Sequence, residues 1–201
     1  METRQQILCE AREVFLEQGL AGFSMRTVAQ RVGVSATAIY RHFDDKDALI
    51  ASLLGDAFGT FGEYLRRSLK GKTPLERFRR CGEAYIDFAL DHARDYQLMF
   101  LTNCAEHGFK KISHEVEQRS RPTFEFLVER VVECLECGVF AARDPQQLAL
   151  FAWSTLHGVA SLWLLGQLKE SIDERIFRQQ TALTLDFIEL SLRSCETAAR
   201  R

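Results

Sequence analysis

Apolar positions recur three and four residues apart along almost the whole chain, the spacing of one face of a helix. Ile7, Ala11, Val14 and Phe15 share such a face, and Gly19 stands where a C-cap would close the segment. Ser24 is placed to cap a short second helix carrying Val28, Ala29 and Val32. Gly33, Val34 and Ser35 form a break, after which Ser35 can cap a third short helix through Tyr40. Asp44 reads as the cap of a long fourth helix, with Asp45 and Asp47 in a first turn whose dipole favours negative charge. That helix is expected to reach about Leu69. Gly55, Gly59 and Gly62 lie within it, each costing about 1 kcal/mol against alanine. They mark a bend, a close helix crossing or built-in looseness.

Gly71, Lys72, Thr73 and Pro74 read as a linker. Further helices are expected over about 74–92, 94–101, 118–137, 145–169 and 173–193, with a polar interval near 103–115. No run alternates with period two and no hairpin dipeptide occurs, so the fold class is all-α. From Pro145 to Leu168 there is no acidic or basic residue, but Gln146, Gln147, Ser154, Thr155, His157, Ser161 and Gln167 interrupt the apolar run. That stretch reads as a helix buried on most sides, in a core or between subunits, rather than a membrane span.

With 201 residues the chain makes one domain or two small ones. Its composition, 46% hydrophobic and 27% charged, excludes a disordered tail, a collagen-like chain and a disulfide mini-protein. A net charge of −2 means that any nucleic-acid binding must come from a local patch. The six cysteines, Cys9, Cys81, Cys104, Cys134, Cys137 and Cys195, fall mostly in apolar helical patterns. No apolar run follows a basic start at Met1–Gln6, so the expectation is a reduced, cytoplasmic protein with buried thiols.

Basic charge is concentrated in one place. Residues 24–43 contain Arg26, Arg31 and Arg41 and no acid, whereas the first fifty residues carry six basic and seven acidic groups. The spacing there fits a helix-turn-helix. Small Ala29 permits close approach, Gly33 sits where the turn needs positive φ, and Ile39 points back into a core with Val28, Val32 and Val34. The outer face of the third helix presents Ala36, Thr37, Tyr40 and Arg41 to a major groove. Arginine can read guanine bidentately, Thr and Ala can meet a thymine methyl, and Tyr40, His42 and Lys46 suit phosphate contacts. Arg31 is expected to face solvent.

These residues resemble the N-terminal domain of the tetracycline-repressor (TetR) family of transcription regulators. The match runs through Gly22, Phe23 and Ser24, then Val28 and Ala29, Gly33 to Ser35, Ile39 to Phe43, and Lys46 to Leu49. The resemblance implies a three-helix DNA-binding domain over 1–50, a connecting helix over about 45–69, and a ligand-binding and dimerisation domain over 74–195. It implies a homodimer on a palindromic double-stranded DNA operator, released by a small effector, with repression as the family default. Arg26 and Thr27 align with the start of the supporting helix. Ala36, Thr37 and Arg41 align with base-reading positions, and Ser35, Tyr40, His42 and Lys46 with phosphate-contacting ones.

Trp153, His157 and Gly158 resemble the Trp…His-Gly pattern of one subgroup of the family's C-terminal domains. In the family the last two long helices pair with those of a second subunit. The resemblance therefore implies an interface here from Leu156, Ala160, Trp163, Leu164, Phe177, Leu183 and Phe187. Fifteen phenylalanines and their helical placement suggest a pocket for a flat or hydrophobic effector. Its candidate lining is Phe61, Phe78, Cys81, Tyr85, Phe88, Met99, Phe100, Asn103, His107, Phe124, Trp153 and His157, with Glu63 a further polar contact. His157 has two readings, a hydrogen-bonded structural group or a ligand-sensing one.

Other chemistry is excluded or kept as a rival. Gly71, Lys72 and Thr73 mimic the end of a phosphate-binding loop, but Arg66 stands where its first glycine belongs. No nucleophile or metalloprotease motif occurs, so no enzymatic activity, cofactor, metal or membrane partner is expected. Cys134 and Cys137 form a lone Cys-x-x-Cys, which leaves a thiol- or metal-sensing regulator as the alternative.

Overall fold

A computed structural model describes residues 3–101, 110–168 and 171–193. Its elements are α1 (Thr3–Gly22), α2 (Met25–Val32), α3 (Ala36–Tyr40), α4 (Lys46–Arg66), α5 (Pro74–Asp91), α6 (Ala93–Tyr96), α7 (Lys110–Glu136), α8 (Pro145–Leu164) and α9 (Glu174–Leu192). A 3-10 turn, Arg67–Lys70, follows α4, and a π turn, Gln97–Leu101, follows α6. The described residues contain no strand beyond an isolated bridge between Phe140 and Arg193. The chain divides into two units. Unit 1 is Met1–Gly59 with Arg94–Ser120, and unit 2 is Thr60–Ala93 with Arg121–Arg201.

The helix starts follow local chemistry. Each N-cap side chain accepts an amide three residues on: Ser24 from Thr27 at 3.1 Å, Ser35 from Ala38 at 3.2 Å, Thr73 from Glu76 at 3.1 Å, Asp144 from Gln147 at 2.9 Å and Asp173 from Ile176 at 2.8 Å. Glu76 returns the favour by accepting the Lys72 amide at 2.8 Å, so the sequence read as a linker is a capping device.

Five boundaries depart from expectation, one being α8, which stops at Leu164 rather than near 169, with Gly166 turning the chain just after it at φ 79°. Asp45, not Asp44, caps α4 by accepting the Ala48 amide at 2.7 Å; the helix starts at Lys46, and only residue 45 stands three before that amide. The α-helical part of α4 stops at Arg66, and the last turn tightens into 3-10 geometry. Gly19 does not end α1. It interrupts the helix at φ 62° and ψ −174°, and a further turn runs to Gly22. Residues 110–115, expected as part of a polar interval, begin α7. They lack an apolar stripe, but Lys and Glu are good helix formers without one.

In unit 1, α1 packs on α2 and α2 on α3. Ile7, Ala11, Val14, Val28 and Ile39 are among the buried side chains, and Phe15 meets Phe23 edge-on at 5.9 Å. Arg12 pairs with Asp95 at 2.6 Å and Glu13 with Arg94, tying α1 to α6. Gly55 makes room within this unit: a Cβ there would lie 2.7 Å from Arg119 Nη1. In unit 2, α5 packs on α8 and α9, and α8 on α9. Gly82 lets these helices meet closely, since a Cβ would fall 2.5 Å from Leu185 Cδ2 and 3.1 Å from Leu156 Cδ1.

Candidate nucleic-acid interface

The turn between α2 and α3 is built on Gly33. Its φ of 79° is a conformation that side-chain-bearing residues rarely adopt. The Gly33 amide bonds Ala29 O at 3.0 Å, and so does the Val34 amide at 3.0 Å, closing α2 with satisfied carbonyls. The chain then re-enters a helix with Ile39 wholly buried beside Val28 and Ala29. Five residues of α3 thus have their inner face fixed by the core, and Thr37 and Tyr40 are exposed opposite it. Tyr40 is 52% exposed, an unusual state for a large aromatic ring.

The structure brings the candidate contact residues together in unit 1. Arg26, Ser35, Arg41 and His42 are exposed, and Thr27, Ala36 and Lys46 are half-buried. Thr27 Oγ1 lies 2.7 Å from Ser24 Oγ, so it belongs to the N-cap of α2. Ser35 accepts an amide and still has its own proton to donate. Lys46 rests its Nζ 5.6 Å from the Phe23 ring, and partial burial lowers its pKa while Asp47 opposes the shift.

Arg31 behaves differently from Arg26 and Arg41. It is exposed, as expected, but donates to both oxygens of Glu17 at 2.7 and 2.8 Å and to Glu10 at 3.2 Å. Those bonds hold it charged and lower the pKa of Glu17. Among the described residues Arg26 and Arg41 have no ion pair, so they are the uncompensated cations of this surface. Arg4 joins them from α1, its guanidinium 5.2 Å from the Phe43 ring. Sequence reasoning missed it because Arg4 stands outside the helix-turn-helix spacing, and only the fold brings it beside the end of that motif.

The aromatic residues sort by unit. In unit 2, Phe61 meets Tyr85 at 5.7 Å and Phe88 at 4.9 Å, Trp153 meets His157 at 5.7 Å, and Phe124 meets Trp153 at 5.9 Å. The Tyr85 hydroxyl lies 2.9 Å from His157 Nδ1, which joins these contacts into one chain across α4, α5, α8 and α7. Burial lowers the His157 pKa. Cys81 is buried one turn before Tyr85, and Phe78 packs on Phe140 at 5.0 Å. Met99 and Phe100 belong to unit 1, where Phe100 packs on Phe58 and Tyr96. Asn103 and His107 lie outside the described residues, and Glu63 is exposed.

The residues assigned to a subunit interface divide as well. Leu156, Ala160, Leu164 and Phe177 are buried within unit 2 itself, and Trp163 stacks on Phe177 at 4.6 Å. Leu183 and Phe187 are exposed, together with Ile176 and Leu190 on α9 and Leu150, Phe151, Leu162 and Leu165 on and after α8. Helix α9 therefore has two apolar stripes, one turned inward and one outward.

The cysteines are less uniformly buried than expected. Cys81 and Cys134 are buried, Cys9 and Cys137 are exposed, and Cys104 and Cys195 lie outside the described residues. Burial, with Glu133 adding to it, pushes the Cys134 thiol up to about 12, so its reactive thiolate form is disfavoured.

Residues 78–183 match a family model described as tetracyclin repressor-like, C-terminal domain, and residues 7–53 match one described as bacterial regulatory proteins, tetR family. The HTH-type transcriptional activator FasR of Mycolicibacterium smegmatis is 33% identical over 100 residues, 49% of this chain and 46% of that protein. The HTH-type transcriptional repressor KstR2 of Rhodococcus jostii is 28% identical over 98 residues, 47% of this chain and 48% of that protein. The matched stretches thus span under half the length of these relatives. A protein of unknown function from Rhodococcus sp. RHA1 superposes with a TM-score of 0.79 at 24% identity, covering 96% of this chain and 97% of that one.

Proposed function

Because this chain belongs to the tetracycline-repressor family of bacterial regulatory proteins, we propose that it is a repressor that binds a palindromic operator as a homodimer and is released by a small hydrophobic or aromatic effector. One observation carries the reading: α3 is locked from beneath by Ile39 and presents Thr37 and Tyr40 outward, with Arg41 directly after it. A rigid short helix whose exposed face is polar, aromatic and cationic is what a major groove accepts.

The roles follow from chemistry. Arg41 and Thr37 read base edges, with Ala36 against a thymine methyl. Ser35, Tyr40, His42 and Lys46 hold phosphates, and from the start of α2, where Thr27 also stands, Arg26 shares the base reading. Residues 1–50 form the reading domain and 74–195 the effector and dimerisation domain, in a cytoplasmic protein. The outward stripe of α9 with the exposed apolar residues of α8 forms the dimer face, since such a stripe is otherwise costly to leave in water. FasR is named an activator and KstR2 a repressor, and the family default favours repression here.

Effector occupies unit 2 at the aromatic chain and biases α4, whose first residue is Lys46 and whose later turns carry Phe61. Half-sites one turn of DNA apart, about 34–36 Å, tolerate little change in the spacing of two reading heads. The effector must bind the DNA-incompetent state more tightly, or it shifts nothing.

Selection of bound duplexes from a random library by the purified, reduced protein tests this. An inverted repeat whose affinity falls with salt is the expected outcome. No enriched sequence, with affinity equal to that for random DNA, would sink the reading.

A further inference from the structure

One charged group in unit 2 is not fully satisfied by the protein. Arg130, on α7, has a side chain only 7% exposed. Its Nε donates to Glu133 at 3.0 Å, and its Nη2 reaches the same carboxylate at 2.7 Å. Phe126 covers one face of the guanidinium, with Cζ 4.5 Å from the ring centroid. Nη1 is buried and, among the described residues, has no hydrogen-bond partner. A guanidinium donates in its own plane, so the open Nη1 edge awaits an acceptor that arrives in that plane.

The carboxylates around it are shared or in water. Glu133 also accepts from Arg77 Nε at 2.7 Å, so one carboxylate serves two guanidiniums. Glu129 pairs with Nη2 at 3.3 Å, but its side chain is 65% exposed and screened by water. The buried guanidinium is therefore weakly compensated. Native interiors rarely leave such a donor orphaned.

Glu133 ties the site to the helix that carries the aromatic chain: it accepts from Arg130 and also from Arg77 of α5, and Cys81 and Tyr85 follow Arg77 at one-turn intervals along that helix. Tyr85 in turn holds His157 at 2.9 Å.

We propose that Nη1 of Arg130 anchors the anionic head of the effector, and that the effector is an organic monocarboxylate whose apolar or aromatic body lies along Tyr85, His157 and Trp153. This rests on the effector reading above. A single open donor edge on a weakly compensated guanidinium matches a monoanion; a dianionic phosphate would call for more donors than the site offers.

The test uses the full-length, reduced protein with benzoate, 1-naphthoate, octanoate and palmitate, each beside its methyl ester. Binding is measured by titration calorimetry, and operator release by DNA anisotropy in parallel. At least one acid is expected to bind tenfold or more tightly than its ester. Arg130→Met should erase that preference and Arg130→Lys should keep part of it. Glu133 keeps Arg77 in both variants, so neither strands a carboxylate. Should Arg130→Met fail to fold, the acid-to-ester ratio of the wild type and Arg130→Lys still decides. If no acid outbinds its ester, or the preference survives in Arg130→Met, the assignment is overturned. An acid preference lost in Arg130→Met without any change in operator affinity upholds the anion site and overturns the effector reading. Operator release by acids and esters alike upholds the effector reading and overturns the anion site.

Discussion

The hydroxyl of Tyr85 and Nδ1 of His157 lie 2.9 Å apart, tying α5 to α8 at the centre of the aromatic chain of unit 2. Whichever group donates, the bond needs a neutral imidazole or one whose Nδ1 keeps its proton. Of the two readings of His157, this geometry supports the hydrogen-bonded structural group.

The burial of His157 makes unit 2 sensitive to acid. Burial lowers the His157 pKa below its ordinary 6.5, so the unfolded chain takes up the proton first. Stability therefore rises with pH through the window between the lowered native value and the unfolded one. It is present in full above the unfolded value and declines as pH falls below it. Urea unfolding at pH 7.5 and 5.5 should show a larger loss for the wild type than for His157→Gln. Equal losses would remove His157 from the account.

Gly33→Ala should destabilise the protein by about 1–2 kcal/mol, the cost of a left-handed conformation for an L side chain. Space is not the obstacle, since nothing lies within 4 Å of the added Cβ, and φ is 79°. Gly33→Asn should cost less. Denaturant midpoints compare the two, and an Asn variant no better than Ala would point to a different cause.

Arg41→Ala should weaken operator binding about tenfold or more while leaving the melting temperature unchanged, because Arg41 is exposed and makes no ion pair among the described residues. Arg31→Gln should leave sequence preference intact, since Arg31 is engaged with Glu10 and Glu17. Anisotropy against salt separates the two, and equal losses of specificity would contradict the assignment.

Phe187→Ser and Leu190→Ser should convert a dimer to monomers without destabilising the fold by more than about 0.5 kcal/mol. Both side chains are highly exposed in the single chain, at 60% and 61%. Sedimentation velocity reads the assembly state. A variant that stays dimeric would move the interface elsewhere on the molecule.

Local rules were legible in the chain. The caps at Ser24 and Ser35, the positive φ at Gly33 and the inward Ile39 depend on residues three to six apart, so spacing alone carries them; Thr73, read as linker, obeys the same rule, as do Asp144 and Asp173 at helix starts. Helix type was legible for the same reason: a 3.6-residue apolar repeat is a local property. Which of several apolar stripes turns inward is not local. Leu156, Ala160, Leu164 and Phe177 were grouped with Leu183 and Phe187, yet the first four are buried against their own unit and the last two are exposed. Helices hydrophobic on more than one side can be sorted only by what packs on them. The same holds for Arg31, whose partners Glu10 and Glu17 lie on another helix, and for Arg130, whose buried orphan donor appears only once Glu133 and Phe126 have taken their places around it. Periodicity decides which residues can share a face; the packing of one helix on the next decides which face meets water, a partner or a ligand.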